Sequence, residues 1–374
     1  MTQTILIIDD DPEVCSALTA ALDARGRHLI VCHDVESAQL VAERFPITHV
    51  LTDIKLTGPF RFEGLDIIDM VRRNPQRVSV LVLTGHATDD LRQEALRRGA
   101  DAVLQKPASI EEIEQFIPPS DGEEDSVVTV MPTIDEILGG MLRTQFQPLV
   151  WLEQPRHAVG FEALTRLDSD SPLANPELLF RYAAAKGRVV DLELAAAANA
   201  LHVGAALTAV GFVSVNIHPA VFVEVDRFCD GLINSAADAG VSPERLLVEI
   251  TEQGPLPELS RVEAASATLR SHGVRFALDD LGSAYSHLPS IAVIRPSYLK
   301  ISQHFGTACE ANAAHRKIIE NVQDLARSFS SDVVLEGIET RQTATFARES
   351  GIRFGQGYYY SRPAEAAGLA ARYR

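Results

Sequence analysis

The sequence predicts an α/β protein of two units, a doubly wound parallel sheet followed by a (β/α) barrel. Three observations predict it. Near-continuously apolar runs alternate with amphipathic helical stretches along a chain of 374 residues, a length that suits two domains. A Pro-, Ser- and Gly-containing acidic break interrupts the alternation between residues 118 and 130. Polar residues sit at the ends of the apolar runs on both sides of the break, where α/β folds bind ligands. The expected organisation is a first domain over 1–117, a linker over 118–130 and a second domain over 131–374.

The net charge of −17 argues against wrapping nucleic acid, and no basic recognition helix offsets it. A small phosphate ligand remains compatible, with bound cations and a few arginines offsetting the repulsion. No run of 18 apolar residues suggests a membrane span, and MTQTILIIDDD has no basic stretch ahead of an apolar one. Cys15, Cys32, Cys229 and Cys309 are widely spaced and fit neither a disulfide framework nor a metal motif. A reducing, cytoplasmic setting is expected.

In the first domain the strands read ILII, LIVC, HVLT, VSVLVLT and DAVLQ, with helical patterns such as EGLDIIDMVRRN between them. Strand one ends in Asp9-Asp10-Asp11, strand three at Asp53, strand four at Thr84 and strand five in Lys106-Pro107. Converging carboxylates, a hydroxyl and a lysine suit a Mg²⁺ beside an aspartate able to take a phosphoryl group. The set resembles the receiver domain of two-component response regulators, of flavodoxin-like fold. The resemblance implies Asp9, Asp10 and Asp53 as metal-binding acids, with Lys55 supplying a backbone carbonyl. It implies Asp53 as phosphoacceptor, and Thr84 and Lys106 as the switch residues. It also implies a partner histidine kinase or other phosphodonor. Val103 stands where that family has an aromatic residue, and the loop after Asp53 is longer than usual.

The break, PPSDGEEDSVVTV, reads as a solvated spacer. Beyond it the strand ends again carry the polar groups. AVGFEALTR carries Glu162, Leu164 and Arg166; FVSVNIH carries Asn216; LLVEITE carries Glu249 and Glu252. RFALDD carries Asp279 and Asp280, SYLKIS Lys300, DVVLEGIE Glu336 and Glu339, and IRFGQGYYY Gln356. A barrel gathers all its strand ends on one face, so these distant residues would share one site. Carboxylates and amides without cysteine suit Mg²⁺ or Mn²⁺. The adjacent Asp279 and Asp280 repel each other unless a cation sits on them, and a shared aspartate holds two ions about 3.5–4 Å apart in phosphodiester hydrolysis. Taken alone, such a pair is more often a cap or a solvated turn.

FEALTR, VNIHP, LLVEITE, LDDLGSAYSHL, LKIS, VVLEGIET and FGQGYYY, in that order, resemble the EAL-domain cyclic-di-GMP phosphodiesterases. The resemblance implies a TIM-like barrel with one antiparallel strand, and commonly a homodimer or higher homo-oligomer. It implies one cation on Glu162, Asn216, Glu249 and Asp279, and a second on Asp279, Asp280 and Glu336. Lys300 would position the attacking water. Glu339 and Gln356 would shape the site, while Gln147, Leu164, Arg166 and Gln356 would contact the nucleotide. Glu252 would brace the loop after Asp280. Leu281, Ala284, Ser302 and Leu335 depart from the usual family residues, but none replaces an implied ligand. Tyr358–Tyr360 are expected to pack the barrel end. The expected function is a response regulator that hydrolyses cyclic di-GMP to pGpG under control of Asp53. The alternative is a cyclic-di-GMP receptor that signals by docking.

Overall fold

The computed structural model describes residues 2–373 except 57–61, 74–76, 86–87, 121, 252–257, 282–287, 308 and 310. The chain forms two units: Met1–Met141 with Leu167–Gly187, and Leu142–Arg166 with Arg188–Arg374.

In the first unit the five expected apolar runs form β1 (Gln3–Ile8), β2 (Arg27–Cys32), β3 (His49–Thr52), β4 (Ser79–Thr84) and β5 (Ala102–Gln105). Between and after them lie α1 (Pro12–Leu22), α2 (Val35–Arg44), α3 (Glu63–Arg72), α4 (Asp89–Arg98) and α5 (Ile110–Glu114). The helices start where short polar residues can accept from free N–H groups: Asp11, Asp34, Thr88 and Ser109 cap α1, α2, α4 and α5. All strands are parallel, and Ile5, Ile7, Leu29, Val31, Leu51, Leu81 and Leu83 share one buried cluster with helix residues such as Cys15 and Ile113.

The sheet order is β5-β4-β3-β1-β2-β6, and its last member corrects the reading of 118–130 as a solvated spacer. Val127–Val130 is a strand, β6, paired in parallel with β2. The run VVTV is β-branched throughout, and the open edge of β2 supplies its backbone partners. A short helix, α6 (Ile134–Glu136), follows.

The segment Leu167–Gly187, including α7 (Pro176–Ala185), belongs to this unit. Tyr182 is fully buried, and its hydroxyl donates to Asp34 Oδ2 at 2.5 Å. Lys186 Nζ lies 3.5 Å from Asp34 and 3.3 Å from Glu36.

The second unit is built from β7 (Leu142–Trp151), β8 (Gln154–Leu167), β9 (Phe212–Ile217), β10 (Leu246–Ile250), β11 (Arg275–Leu281), β12 (Tyr298–Ile301), β13 (Asp332–Leu335) and β14 (Phe354–Gly355). Its helices are α8 (Val189–Gly204), α9 (Val225–Asp238), α10 (Leu259–Ser271), α11 (Leu288–Ile294), α12 (Gln303–Gly306), α13 (Ala313–Ser328), α14 (Arg341–Glu349) and α15 (Ala366–Arg372). Val189–Ala209 is apolar and long enough to cross a membrane by composition, and half of that stretch is buried within the fold.

The strands close into a barrel in the order β10-β11-β12-β13-β14-β7-β8-β9. β7 runs against β14, with Phe354 opposite Trp151, and is the expected antiparallel strand. Leu149, Phe212, Leu247, Ala277, Tyr298, Val334 and Phe354, from seven strands, form one buried cluster inside the barrel. A Cβ on Gly160 would lie 2.2 Å from the Phe212 ring, so glycine makes room there. Side chains alternate between faces along a strand, so the residue two positions further shares the inward direction. Those positions are Glu249, Asp279, Lys300, Glu336 and Gln356, with Gln147 two before Leu149 on the reversed β7. An apolar layer therefore carries a polar layer directly above it.

Candidate active site

The polar layer converges on Lys300. Its Nζ lies 2.6 Å from Glu249 Oε2, 2.8 Å from Glu336 Oε1 and 3.3 Å from Glu162 Oε2. Asp279 Oδ1 meets it at 3.0 Å as a charge contact without hydrogen-bond alignment. Asn216 Nδ2 donates to Glu162 Oε1 at 2.7 Å. Gln356 Nε2 donates to the other Glu162 oxygen at 2.5 Å and to Gln147 Oε1 at 3.0 Å. A Cβ on Gly306 would lie 1.8 Å from the Glu336 carbonyl oxygen, so the absence of a side chain there lets α12 approach the end of β13.

Burial works against the charge on Lys300, but the four carboxylates outweigh it and hold the ammonium well above its usual value. Burial also opposes ionisation of Glu162, yet Lys300, Asn216 and Gln356 outweigh it and hold this carboxyl below the usual range. The other acids are not so well served. Burial, reinforced by neighbouring carboxylates, raises Glu249 to about 8 and Asp279 to about 6 despite Lys300. The same causes hold Glu336 well above the carboxylate range. One ammonium is therefore too little positive charge for these acids.

Ligand oxygens of Glu162, Glu249 and Asp279 lie within 4.8 Å of one another. Asn216 Oδ1 is buried and has no hydrogen-bond partner among the described residues. Clustered carboxylates short of positive charge, beside an orphan amide oxygen, fit a hard divalent cation.

Above this layer opens a cavity of about 260 Å³. Gln147, Glu162, Leu164, Arg166, Asp279, Asp280, Glu336, Glu339 and Gln356, all read from the sequence, line it. Arg166 Nε donates to Gln145 Oε1 at 3.2 Å, and its Nη1 to the Thr165 carbonyl. Asn216, Glu249 and Lys300 lie outside the cavity lining. Asp280 reaches the cavity because β11 is irregular between Leu278 and Leu281 and Asp280 has φ +53°. The expected brace Glu252 and the substituted Ala284 lie outside the described residues.

Tyr358 departs from the expected packing role: it lines the cavity, 49 % exposed, while Tyr360 is buried. The Arg362 guanidinium lies 4.3 Å from the Tyr358 ring centroid. Gln303, Gly337 and Pro363 also line the cavity and were not singled out from the sequence. Their signal is only their proximity to Lys300, Glu336 and the QGYYY run.

The first unit assembles its own acidic site. Lys106 Nζ donates to Asp9 Oδ2 at 2.5 Å and to Asp53 Oδ2 at 2.7 Å. Lys55 N donates to Asp53 Oδ1 at 3.3 Å. Burial raises the carboxyls of Asp9 and Asp10. Thr84 is buried at the end of β4, and Val103 is buried in β5.

The family model of the EAL domain matches residues 135–363. The chain belongs to the EAL domain family. The receiver-domain model of response regulators matches residues 5–118, so a receiver precedes the EAL domain. "Cyclic di-GMP phosphodiesterase PdeL" of Escherichia coli K12 is 28 % identical over 153 residues, 40 % of this chain and 41 % of that protein. "Probable cyclic di-GMP phosphodiesterase PdeG" of the same organism is 34 % identical over 118 residues, 32 % of this chain and 23 % of that one. The chain thus spans less than half the length of these curated relatives. Among solved structures, the EAL barrel resembles a PaMucR phosphodiesterase complex with c-di-GMP, with TM-score 0.54 and 25 % identity. That match covers 62 % of this chain and 100 % of that one. A Klebsiella pneumoniae BlrP1 complex with manganese and cyclic di-GMP matches with TM-score 0.54 and 25 % identity, over 60 % of this chain and 57 % of that one.

Proposed function

We propose that the chain is a response regulator whose EAL domain hydrolyses cyclic di-GMP to linear pGpG, with Asp53 of the receiver as the phosphorylated control point. The observation that carries this reading is the polar layer itself. Glu162, Glu249, Asp279 and Glu336 surround one lysine beneath an open cavity, and Asn216 offers a buried amide oxygen.

Glu162, Asn216, Glu249 and Asp279 would hold one Mg²⁺ or Mn²⁺; Asp279, Asp280 and Glu336 would hold a second. Such ions, when bound, lower the pKa of a water and neutralise charge on the phosphodiester. Lys300, kept cationic by its neighbours, supplies a fixed positive charge and an N–H donor for orienting the water. Gln356 and Asn216 hold Glu162 in one orientation, which matters because a ligand displaced by an ångström loses much of its effect. Arg166 and Arg362 offer guanidinium groups to phosphate, and Tyr358 and Leu164 offer apolar surface to the base. Hydrolysis places the water oxygen on phosphorus and a proton on the departing ribose oxygen, which opens the cyclic dinucleotide.

In the receiver, Asp9 and Asp10 would bind one Mg²⁺ beside Asp53, with Lys106 contacting the phosphoryl oxygens. A phosphodonor, and a homodimer or higher homo-oligomer, complete the proposal. Incubation with cyclic di-GMP and Mn²⁺, followed by chromatography, tests it: pGpG accumulates with metal and does not with chelator.

A further inference from the structure

In the second unit, one buried acid outside the polar layer has no role in the chemistry above. Glu193 on α8 is 2 % exposed. Its Oε1 accepts a hydrogen bond from the backbone N–H of His218 at 2.6 Å. Its Oε2 is buried and has no hydrogen-bond partner among the described residues. A buried polar atom without a partner is costly, so a carboxyl here is unfavourable unless its single bond matters.

That bond falls at the end of β9. His218 is the residue after the strand and lies two beyond Asn216. The same corner is tied twice more. His218 Nδ1 accepts from Ala220 N at 3.1 Å, and the Ile217 carbonyl accepts from Thr251 N at 3.2 Å. Thr251 follows β10, whose Glu249 pairs in register with Asn216. Glu193 thus anchors the backbone from which Asn216 reaches Glu162. Burial pushes its carboxyl up to about 8, so near neutrality it serves as an uncharged acceptor.

We propose that Glu193 is a positioning residue for the cation site, holding the β9 end so that the Asn216 amide oxygen stays aimed at the metal. This rests on the metal-dependent reading above. The role resembles that of outer partners at other metal sites, whose loss typically weakens metal affinity 10–100-fold.

The test is Mn²⁺ affinity, by calorimetry on the full chain, with melting curves alongside. Glu193→Met keeps the volume and removes the acceptor; Glu193→Gln keeps it. Leu232→Ala, at a buried position of α9, is a packing control of reduced stability. The expected result is Mn²⁺ affinity about 10–100-fold weaker for Glu193→Met, with Glu193→Gln and Leu232→Ala close to wild type. Wild-type affinity in Glu193→Met overturns the proposal, as does equal weakening in Glu193→Gln or Leu232→Ala. If Glu193→Met does not fold, Glu193→Ala is read by the same criteria; failure of both to fold overturns a role specific to the metal. Wild-type protein that binds no Mn²⁺ overturns the metal-dependent reading itself, and this inference with it.

Discussion

Asp280 follows Asp279 along β11, yet both residues line one cavity. Consecutive side chains of a regular strand point to opposite faces. Here the register shift between Leu278 and Leu281, with φ +53° at Asp280, turns the second carboxylate inward. A non-glycine residue in that region costs about 1–2 kcal/mol. Asp280→Gly should therefore raise stability by about 1 kcal/mol while lowering cyclic-di-GMP turnover at least about 100-fold. Denaturant melts and a product assay check both signs; a stable variant with wild-type turnover would remove Asp280 from the site.

Lys300 is the charge on which the carboxylates rest. Lys300→Met leaves buried acids uncompensated, a change that costs about 3–5 kcal/mol in comparable sites. The expected outcome is a large fall in melting temperature in chelator, with partial recovery in Mn²⁺ because metal binds the folded state. Equal melting of variant and wild type in chelator contradicts the charge account.

Tyr182→Phe removes the hydroxyl that donates to the Asp34 carboxylate. A bond to a carboxylate is worth about 1.5–3 kcal/mol. Hydrogen exchange should rise selectively over α7; unchanged exchange there would mean the bond contributes nothing.

Glu193 gives a pH test. Its folded value of about 8 lies above its ordinary 4.5, so its proton stabilises the fold fully below about pH 4.5. That contribution is lost as pH rises through about 8. Glu193→Gln carries no such proton, so its stability relative to wild type should increase between pH 5 and about 8. Parallel stability curves for the two proteins across that window would contradict the burial of this acid.

Asp53→Asn should abolish phosphoryl incorporation from acetyl phosphate, read by intact-mass spectrometry, and with it any change in turnover that the donor causes. Continued incorporation would place the acceptor elsewhere.

Much of this was legible in the sequence because the strands are short and their polar residues follow apolar ones at a spacing of two. Leu247 and Glu249, Tyr298 and Lys300, Val334 and Glu336 each show it. β6 was missed because the acidic residues ahead of VVTV masked a β-branched run whose partner, the β2 edge, is visible only in three dimensions. The inward turn of Asp280 depends on a bulge, which no composition signal marks. Glu193 sits in the apolar run LELAAAA, where a single acid reads as a solvent-facing helix residue.

The most direct measurement is the fate of cyclic di-GMP mixed with the purified chain and Mn²⁺, with Glu162→Gln in parallel. The account predicts conversion to pGpG by the wild type and none by the variant. Cyclic di-GMP that binds the wild type and is recovered intact would contradict it, and would make the EAL domain a receptor.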